Sequence, residues 1–440
     1  MPAERLYYAD SALTQFTATV TDIRERSRSG GTSIWQIALD RTAFYPTSGG
    51  QPHDTGALAA TAPSGARLEA PVVDVEEDEH GEVWHLTPKP LLTGTQVEGL
   101  IDQKRRMDHM QQHSGQHLLS ALFYREFGAL TVSFHLGDAV STIDLNTESL
   151  DATQLARIER LANEIIAEAQ PVDHRVVSSD EAQRLLAEGK LRKLPPRSGD
   201  IRLIVISGES PNQAAGNPDL DVNACGGTHV TSTSQIGAVL IRGTERIRQS
   251  TRISFLCGNR AIAAARADDT LLTQLSRELS APRPDLPSAI GRLKTEARTA
   301  AKERQSLREE LANYHAARLL VEDPPQNDLR IVRRIFPDRD PDYIKLLASR
   351  VASAAAHTVA LLASTQQAGQ QREEPATVVL ACSPEPGRNA GELLRSALST
   401  TGGRGGGSAT LAQGLVPADQ LTVVFDNLEL KLRPGPALGS

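Results

Sequence analysis

Two pairs of potential metal ligands, far apart in the chain, constrain its fold more than any other feature. His113 and His117 stand four residues apart, and so do Cys225 and His229. Residues four apart lie on one face of a helix, so His113 and His117 can offer both imidazoles to one ion. The glycines at 226–227 allow the second pair to bend closely around it. Three nitrogen ligands and one sulfur suit zinc better than magnesium or calcium, so a single site requires the fold to join these distant segments.

This set of residues is open to two other interpretations. A His-x3-His pair also occurs on ordinary helix surfaces and in cores, and a closed four-ligand zinc site can serve only to stabilise a fold. Catalysis would then require one ligand to give way or a water to bind beside the ion. A zinc metalloprotease is disfavoured, because its first His is followed directly by a Glu, whereas Ser114 follows His113.

Composition narrows the class of protein. The 440 residues suffice for two or three domains. The chain starts without a basic-then-apolar leader and has no run of about 18 apolar residues, so we expect a soluble, cytoplasmic protein without membrane contact. Its three cysteines form no disulfide framework and fit a reducing compartment.

The net charge of -7 argues against a broadly basic nucleic-acid binder, so any such binding would depend on local clusters. One cluster comprises residues 190–193 with Arg197 and Arg202. The other is a row of four arginines: Arg242, Arg246, Arg248 and Arg252. Each cluster fits either phosphate contacts or an ordinary solvated face.

Hydrophobic periodicity predicts an α+β protein in four parts. Residues 1–100 alternate apolar and polar positions between Gly, Pro and Asp turns, which predicts a β-barrel-like domain. The period becomes helical from Arg105 to Phe127. Residues 101–260 mix strands and helices, so we predict an α+β domain there that holds the four candidate ligands.

The remaining two parts are a long helical linker at 261–321 and an α/β domain at 322–440. Apolar residues within 288–320 follow the spacing of a coiled-coil seam, interrupted by Arg304, and suggest a homodimer through this helix. The last domain contains the glycine cluster Gly402–Gly407, interpreted as a loop that cradles a phosphate or as a flexible linker. Its final segment, Gln420–Phe425, is predicted to be a strand.

Three motifs in series carry a specific resemblance to a known family. They are Thr42-Ala43-Phe44-Tyr45-Pro46-Thr47-Ser48-Gly49-Gly50-Gln51, His113-Ser114-Gly115-Gln116-His117-Leu118-Leu119, and Cys225-Gly226-Gly227-Thr228-His229. Together they resemble the editing part of alanyl-tRNA synthetase. The cluster Gly402–Gly407 with the following Ala412-Gln413-Gly414 resembles the C-terminal domain of the same synthetase, which also occurs in DHH-type phosphoesterases.

The resemblance covers nearly the whole chain but leaves one part out. With the first motif starting at Thr42, we expect no class II aminoacylation domain and no ATP site. The chain is therefore similar to the free-standing alanyl-tRNA editing proteins of the long AlaX type. Such a protein would hydrolyse serine, and more weakly glycine, from mischarged tRNA(Ala) and would not charge tRNA.

By this resemblance, the zinc ligands and catalytic residues are His113, His117, Cys225 and His229. His109, one helical step earlier, has no such role and is interpreted as an ordinary helix residue. Zinc would orient the ester and lower the pKa of a bound water. The N–H groups of Gly49 and Gly50 are candidate donors to the oxyanion or the tRNA 3′ end.

The resemblance also implies a substrate pocket formed by Thr47, Ser48, Gly49, Gly50 and Gln51. We predict that the Thr47 hydroxyl recognises the serine side chain, because alanine is smaller and must be rejected by leaving a polar group unpaired. Gln116 and His135 depart from the usual synthetase residues. His135 is assigned to the pocket, as a proton shuttle or as a structural residue.

Two arginines are predicted tRNA contacts. Arg252 fits a tRNA contact or a fold-stabilising ion pair equally well, and Arg404 lies within the glycine cluster that resembles the synthetase domain. Three other functions stay in view: editing of threonine tRNA, a silent tRNA-binding protein with a structural zinc, and a phosphoesterase. The last is disfavoured because the chain has no Asp-His-His triplet.

Overall fold

The computed structural model describes residues 2–29, 32–61, 65–194, 199–208, 219–365, 375–384 and 388–433. Their packing divides the chain into two units, Met1–Gln274 and Leu275–Ser440. Both units combine helices with sheets, in agreement with a mixed α and β protein. The finer division into four parts stays a prediction. No helix among the described residues has the length and apolar character needed to cross a membrane.

The first unit begins with a sheet of seven strands in the order β6-β5-β9-β2-β3-β8-β7, each pair antiparallel. The strands up to the first helix are β1 (Glu4–Arg5), β2 (Gln15–Ser29), β3 (Thr32–Leu39), β4 (Arg41–Thr42), β5 (Gly56–Thr61), β6 (Arg67–Val72), β7 (Asp74–Glu77), β8 (Val83–Thr87) and β9 (Gln96–Ile101). β1 and β4 form a separate short parallel pair. Alternating side chains such as Phe16, Val20, Ile37 and Leu58 are buried together, as the period of two predicts.

The predicted β-barrel needs a correction, because strand pairing within the described residues does not close the sheet. The two edge strands, β6 and β7, are successive segments separated only by Val73. They continue one another instead of lying side by side, so one pairs with β5 and the other with β8. The chain itself, at Val73, connects the two edges.

Helix α1 (Gln103–Phe127) follows the sheet and is buried along most of its length. Asp102 caps its first turn, where the carboxylate accepts hydrogen bonds from the backbone N–H groups of Lys104 and Arg105. Gly128, with a φ of 65°, ends it in the left-handed conformation. The buried face includes polar residues, which a helix places in a core only when they have partners or a function.

Two further sheets complete the first unit, in the orders β10-β11-β16-β15 and β12-β13-β14. The elements are β10 (Thr131–Leu136), β11 (Ser141–Leu145), α2 (Ala152–Ala167), β12 (Val172–Val177), α3 (Ser179–Ala187), β13 (Ile201–Ser207), β14 (Asp219–Ala224), β15 (Val239–Ile247), β16 (Ser250–Cys257) and α4 (Gly258–Glu278). Apolar residues of α1, such as Leu118 and Leu122, share a core with Ile143 and Phe255 of the first of these sheets. This core fixes α1 against the segment that leads to Cys225.

The second unit has a five-stranded sheet in the order β17-β18-β19-β21-β20. Its elements are α5 (Leu286–Glu322), β17 (Arg330–Pro337), α6 (Pro341–Ala354), β18 (Thr358–Thr365), β19 (Ala376–Cys382), α7 (Ala390–Leu398), β20 (Arg404–Gly407), β21 (Leu411–Val416) and α8 (Leu421–Leu432). β17 and β18 are parallel and joined through α6, whereas the other pairs are antiparallel.

Two predictions for the last domain are wrong. Most of the glycine cluster is the edge strand β20, not a loop, because its backbone pairs with β21. The segment predicted as a final strand begins helix α8. Leu421, Val424, Phe425 and Leu428 lie on the buried stripe of this helix, and the three- and four-residue spacing prevails over the local alternation.

Candidate metal centre

The structure brings the four predicted ligands together. His113 and His117 lie one turn apart on α1, while Cys225 and His229 belong to the turn that follows β14. The ligand atoms of all four lie within 4.8 Å of one another. The Sγ of Cys225 is 3.5 Å from Nε2 of His113 and 3.3 Å from Nε2 of His229. The three histidines are buried and the cysteine nearly so.

The close approach of the two segments depends on Gly227. A Cβ at this position would lie 2.2 Å from Cε1 of His113, so any larger residue would push the turn away from the helix. The N–H of Gly227 donates to the Cys225 sulfur at 3.4 Å, which favours the thiolate. Arg202 fixes the same turn, because its guanidinium donates to the carbonyls of Cys225 at 3.0 Å and Gly227 at 2.9 Å.

Behind each imidazole of the cluster, a different partner contacts the Nδ1 atom of the ring. Nδ1 of His113 lies 2.8 Å from Oε1 of Gln51, and Nδ1 of His229 lies 3.1 Å from the Ser114 hydroxyl. Nδ1 of His117 lies 3.2 Å from a carboxylate oxygen of Asp221. The three acceptors select tautomers with Nδ1 protonated. The Nε2 lone pairs are then free for an ion, so the residues fit a metal with mixed nitrogen and sulfur ligands.

The electrostatics of the cluster favour a thiolate at Cys225 beside a protonated His117, so an ion that binds there displaces the Nε2 proton of His117. Burial raises the pKa of the Cys225 thiol, but the neighbouring His113 and His229 outweigh this and hold it well below its ordinary value. Burial lowers the pKa of His117, whereas hydrogen bonds to Asp221 and Cys225 raise it to about 9. Burial and the charge of His113 hold the pKa of His229 well below its usual range.

The predicted substrate turn touches this cluster through one residue, Gln51. Ser48 and Gln51 exchange backbone hydrogen bonds of 3.1 and 3.0 Å, with Gly49 and Gly50 between them at positive φ. The Gln51 side chain is fully buried. Its Oε1 faces His113 and accepts from the N–H of Thr228, and its Nε2 donates to the Thr228 hydroxyl. Gln51, predicted as a pocket residue, therefore supports the metal ligands directly.

Thr47 lies at the start of this turn and is exposed. Its hydroxyl accepts a hydrogen bond from the backbone N–H of His53 at 3.1 Å and lies 3.1 Å from Nδ1 of the same residue. His53 in turn contacts Asp74 at 3.0 Å. These contacts connect Thr47 with the strand sheet and not with the four ligands.

The β10 strand presents Phe134, not His135, to the cluster. The Phe134 ring lies 5.6 Å from the His113 ring, and a Cβ on Gly50 would approach it to 2.8 Å. Successive side chains of a strand point to opposite faces. His135 accordingly is exposed and lies on the face away from Phe134.

The predicted basic contacts divide into paired and unpaired groups. Arg252 forms a two-pronged ion pair with Asp144, at 2.7 and 2.9 Å, which is the fold-stabilising alternative for this residue. Arg192 and Arg202 hold the region of the metal ligands, whereas Arg197 lies outside the described residues. Arg404 is exposed on the edge strand β20. His109 is buried outside the ligand set, and burial lowers its pKa to about 4.

Sequence reasoning missed Asp221 and the contact of Ser114 with His229, and it noted Gln116 only as a departure from the usual synthetase residues. Asp221 is buried on β14, and Ser114 also accepts the N–H of Val230 at 3.1 Å. Gln116 stands between the two ligands of α1, its Nε2 donates to Ser120 at 2.8 Å, and its buried Oε1 has no partner within the described part of the chain. The position of Ser114 directly after His113 was a visible signal for a hydroxyl near the ligands.

Known proteins point in one direction. Residues 201–253 match the family described as "Threonyl and Alanyl tRNA synthetase second additional domain". Residues 2–105 match "tRNA synthetases class II (A)". Residues 201–253, which include Cys225 and His229, and residues 2–105, which include the preceding sheet, thus match models of aminoacyl-tRNA synthetase domains, whereas His113 and His117 lie outside both matches.

Individual relatives define the family. The chain is 32% identical to the alanyl-tRNA editing protein Aarsd1 of Bos taurus over 325 residues, which is 72% of this chain and 68% of that protein. It is 30% identical to the Aarsd1 protein of Mus musculus over 354 residues, 78% of this chain and 80% of the relative. The chain therefore belongs to the alanyl-tRNA editing protein family.

Longer relatives and a solved structure add context. The alanine–tRNA ligase of Natronomonas pharaonis is 31% identical over 428 residues, which is 96% of this chain but 43% of the ligase. The C-Ala domain of Aquifex aeolicus alanyl-tRNA synthetase matches 25% of this chain and 94% of that domain, at 23% identity. Its TM-score of 0.21 is too low to establish a common fold.

Proposed function

We propose that this protein hydrolyses the ester of mischarged tRNA(Ala), removing serine and, more slowly, glycine, without any aminoacylation activity of its own. The observation that carries the proposal is the cluster of His113, His117, Cys225 and His229, whose ligand atoms converge within 4.8 Å. The family relation supplies the substrate class, because the relatives with the best-matched length are named alanyl-tRNA editing proteins. We expect the protein to act in the cytoplasm, where its three free cysteines would stay reduced.

Zinc is the proposed ion, because three imidazole nitrogens and a thiolate form a donor set that it prefers. Bound there, zinc would supply Lewis-acid polarisation and a water of lowered pKa. The chain's own residues do the rest. Gln51, Ser114 and Asp221 keep each Nε2 free for the ion, and Arg202 holds the turn that carries Cys225.

The reaction itself needs little acid–base power. Water attacks the ester carbonyl, the bond between the acyl carbon and the ribose oxygen breaks, and the ribose oxygen takes up a proton. The released amino acid leaves as its carboxylate, and the second proton of the attacking water passes to the solvent. Donors placed where negative charge develops on the carbonyl oxygen lower this barrier most. We propose the N–H groups of Gly49 and Gly50 for that role, since the turn is fixed by Ser48 and Gln51.

Selectivity requires a polar group that serine satisfies and alanine does not. We propose Thr47 for this group, as the residue is exposed at the start of the glycine turn, although its hydroxyl also contacts His53. Gln116 is a second candidate, because its buried Oε1 lacks a partner among the described residues. The residue lies between His113 and His117 in the sequence of α1. The hydroxyl of a bound serine would satisfy such an acceptor.

Deacylation time courses test the function. We expect rapid release of serine from tRNA(Ala), slower release of glycine, and stable alanyl-tRNA(Ala). Release of serine from tRNA(Thr) but not from tRNA(Ala) would replace this proposal with threonine tRNA editing. Charging of tRNA with alanine and ATP would contradict the absence of aminoacylation. Failure on every mischarged tRNA, with zinc bound, would leave a silent tRNA-binding protein.

The same assay separates the two candidates for selectivity. Thr47→Val and Gln116→Leu each remove one polar group at similar volume. Substitution of the residue that recognises serine should raise the activation free energy of deacylation by about 1–3 kcal/mol for seryl-tRNA and by less for glycyl-tRNA. Equal losses on both substrates would assign the residue to packing. Thr61→Val, outside the turn at the end of β5, is the matched control.

For the second unit we propose tRNA recognition and self-association. Arg404 is an exposed cation on the edge strand β20, positioned for a phosphate. Helix α5 leaves Leu293, Leu307, Leu311 and Tyr314 exposed, with relative exposures between 41% and 68%, and the last three follow one another at four- and three-residue steps. This stripe supports a homodimer through α5, which sedimentation of the full chain would detect as a doubled mass.

A further inference from the structure

The three imidazoles of the metal centre are supported in unequal ways. Gln51 and Ser114, behind His113 and His229, are neutral groups. Only His117 has a carboxylate behind it, Asp221. A charged acceptor strengthens a hydrogen bond and increases the electron density of the imidazole, so His117 differs chemically from the other two nitrogen ligands.

Asp221 is itself fixed by residues that sequence analysis did not connect with the ligands. One carboxylate oxygen accepts from Arg192, and the other accepts from Asn223 at 2.6 Å as well as facing His117. Arg192 also donates to the backbone carbonyl of Ser120 on α1 at 3.1 Å. Both the carboxylate and its cation are thus held in one orientation.

Burial of the Asp221 carboxylate with Arg192 costs free energy, and a role at the metal centre would explain that cost. Asp221 is 4% exposed, and a carboxylate buried to this degree loses much of its hydration. Arg192 compensates the charge, but an apolar pair of similar volume would be as stable or more stable at such a position. The remaining partner of the carboxylate is His117, a proposed metal ligand, so the buried charge can serve the metal centre as well as the fold.

We propose that Asp221 and Arg192 are positioning residues of the metal centre, and that metal retention depends more on this charged support of His117 than on the neutral partners of His113 and His229. Asp221 fixes the tautomer and the ring angle of His117 and adds a negative charge beside the ion. Arg192 fixes Asp221 and moderates that charge. This inference rests on the proposed metal centre and adds a rank order among the groups behind its ligands.

Zinc affinity, measured by competition with a chelator on the full chain, tests the rank order. Asp221→Asn keeps an acceptor for His117 but removes the charge, and we expect it to bind zinc about 10- to 100-fold more weakly. Ser114→Ala, which removes a neutral partner, should weaken zinc binding less. Arg192→Met should weaken it in the same direction as Asp221→Asn, because the carboxylate loses its fixed position.

The matched control is Asp144→Asn. Asp144 forms a two-pronged ion pair with Arg252 in the same unit but contacts no metal ligand. If the role of Asp221 is only structural, Asp221→Asn and Asp144→Asn should both lower the melting temperature of the metal-free protein, and neither should change its zinc affinity. We expect the control to keep wild-type zinc affinity, and the cobalt(II) absorption spectrum to change only in Asp221→Asn and Arg192→Met.

The outcomes separate this inference from the metal centre itself. A wild-type chain that binds neither zinc nor cobalt overturns the metal centre. Zinc binding in the wild type with unchanged affinity in Asp221→Asn, or a larger loss in Ser114→Ala, overturns only the rank order. If Asp221→Asn does not fold, Arg192→Met decides, and wild-type affinity in that variant counts against the proposal.

Discussion

The two glycine-rich segments of this protein use the same residue in different ways. At 226–227, glycine lets a turn approach a helix, so that Cys225 and His229 meet His113 and His117. At 404–407, glycine lets the edge strand β20 lie close to β21 and α7. A Cβ on Gly405 would lie 2.5 Å from the Cα of Gly414, and one on Gly407 would lie 2.2 Å from the carbonyl of Leu411.

The contrast between these two segments shows how little a glycine cluster indicates by itself about function. Glycine permits close approach, but the neighbouring side chains decide what approaches. Next to Gly227 stand ligand types that a metal requires, whereas the neighbours of Gly405 and Gly407 are mainly backbone atoms and apolar side chains. The first segment brings four candidate metal ligands together, and the second packs an edge strand against its neighbours, although the second contains more glycines. The following substitutions test this distinction in both segments.

Cys225→Ala should have the largest effect. Loss of the only sulfur ligand should reduce bound zinc from about one ion per chain to almost none and abolish release of serine from tRNA(Ala). Metal analysis together with the deacylation assay measures both. Cys382→Ala, in β19 of the second unit, is the control and should keep metal and activity. Full zinc content in Cys225→Ala would mean that the glycine turn at 226–227 is not a ligand turn.

Gly227→Ala should come next. The new methyl would collide with His113 and with Oε1 of Gln51, at 2.2 and 2.9 Å. Forcing them apart costs about 1–3 kcal/mol, which corresponds to roughly 5- to 150-fold in zinc affinity. Gly226→Ala is the matched control, because its methyl would meet only Tyr8 at 3.5 Å, an ordinary contact. Similar affinities in the two variants would contradict the role of close approach at Gly227.

The proximity of the residues within each pair of candidate ligands was predictable from the sequence, because helical periodicity and turn chemistry are local. His113 and His117 lie on one helix, and Cys225 and His229 share one turn. The groups behind them were not predictable in the same way. Gln51 reaches the cluster from the turn between β4 and β5, and Asp221 does so because β14 pairs with β13, so both depend on tertiary packing. Resemblance suggested a pocket role for Gln51 but gave no sign of its contact with His113.

Gly407→Ala transfers the test to the second unit. Its methyl would lie 2.2 Å from the Leu411 carbonyl and 2.5 Å from the Cα of Ala412. We expect a loss of about 1–3 kcal/mol in the free energy of unfolding of this unit and no change in zinc content. Gly406→Ala should be close to neutral, since its nearest neighbour would be the Arg395 side chain at 3.4 Å. Denaturant melts followed by circular dichroism measure the loss. Equal stability in the two variants would remove the packing explanation.

The same region shows where short-range patterns mislead. Leu421, Val423 and Phe425 alternate as in a strand, yet Val423 is 50% exposed and the buried stripe continues to Leu428 in a helix. A longer window contains the helical period, and the core of the second unit selects it. His135 shows another limit, because only the register of β10 reveals that Phe134, and not His135, faces His113. The fold class can therefore be predicted from the sequence more readily than the sheet face on which a single strand residue lies.

Arg404→Ala should have the smallest effect, and it asks whether the second glycine segment has any function besides packing. Arg404 begins β20 and is exposed, so its loss should leave the fold and the zinc content unchanged. If the side chain touches a tRNA phosphate, affinity should fall by less than about tenfold, and the slope of log affinity against log salt should decrease by about one contact. Arg404→Lys should keep most of the slope, because it retains the charge. Arg298→Ala, on the exposed surface of α5, is the control for a general change in charge. An unchanged slope in Arg404→Ala would limit the glycine strand to its packing role and leave the exposed stripe of α5 as the functional surface of the second unit.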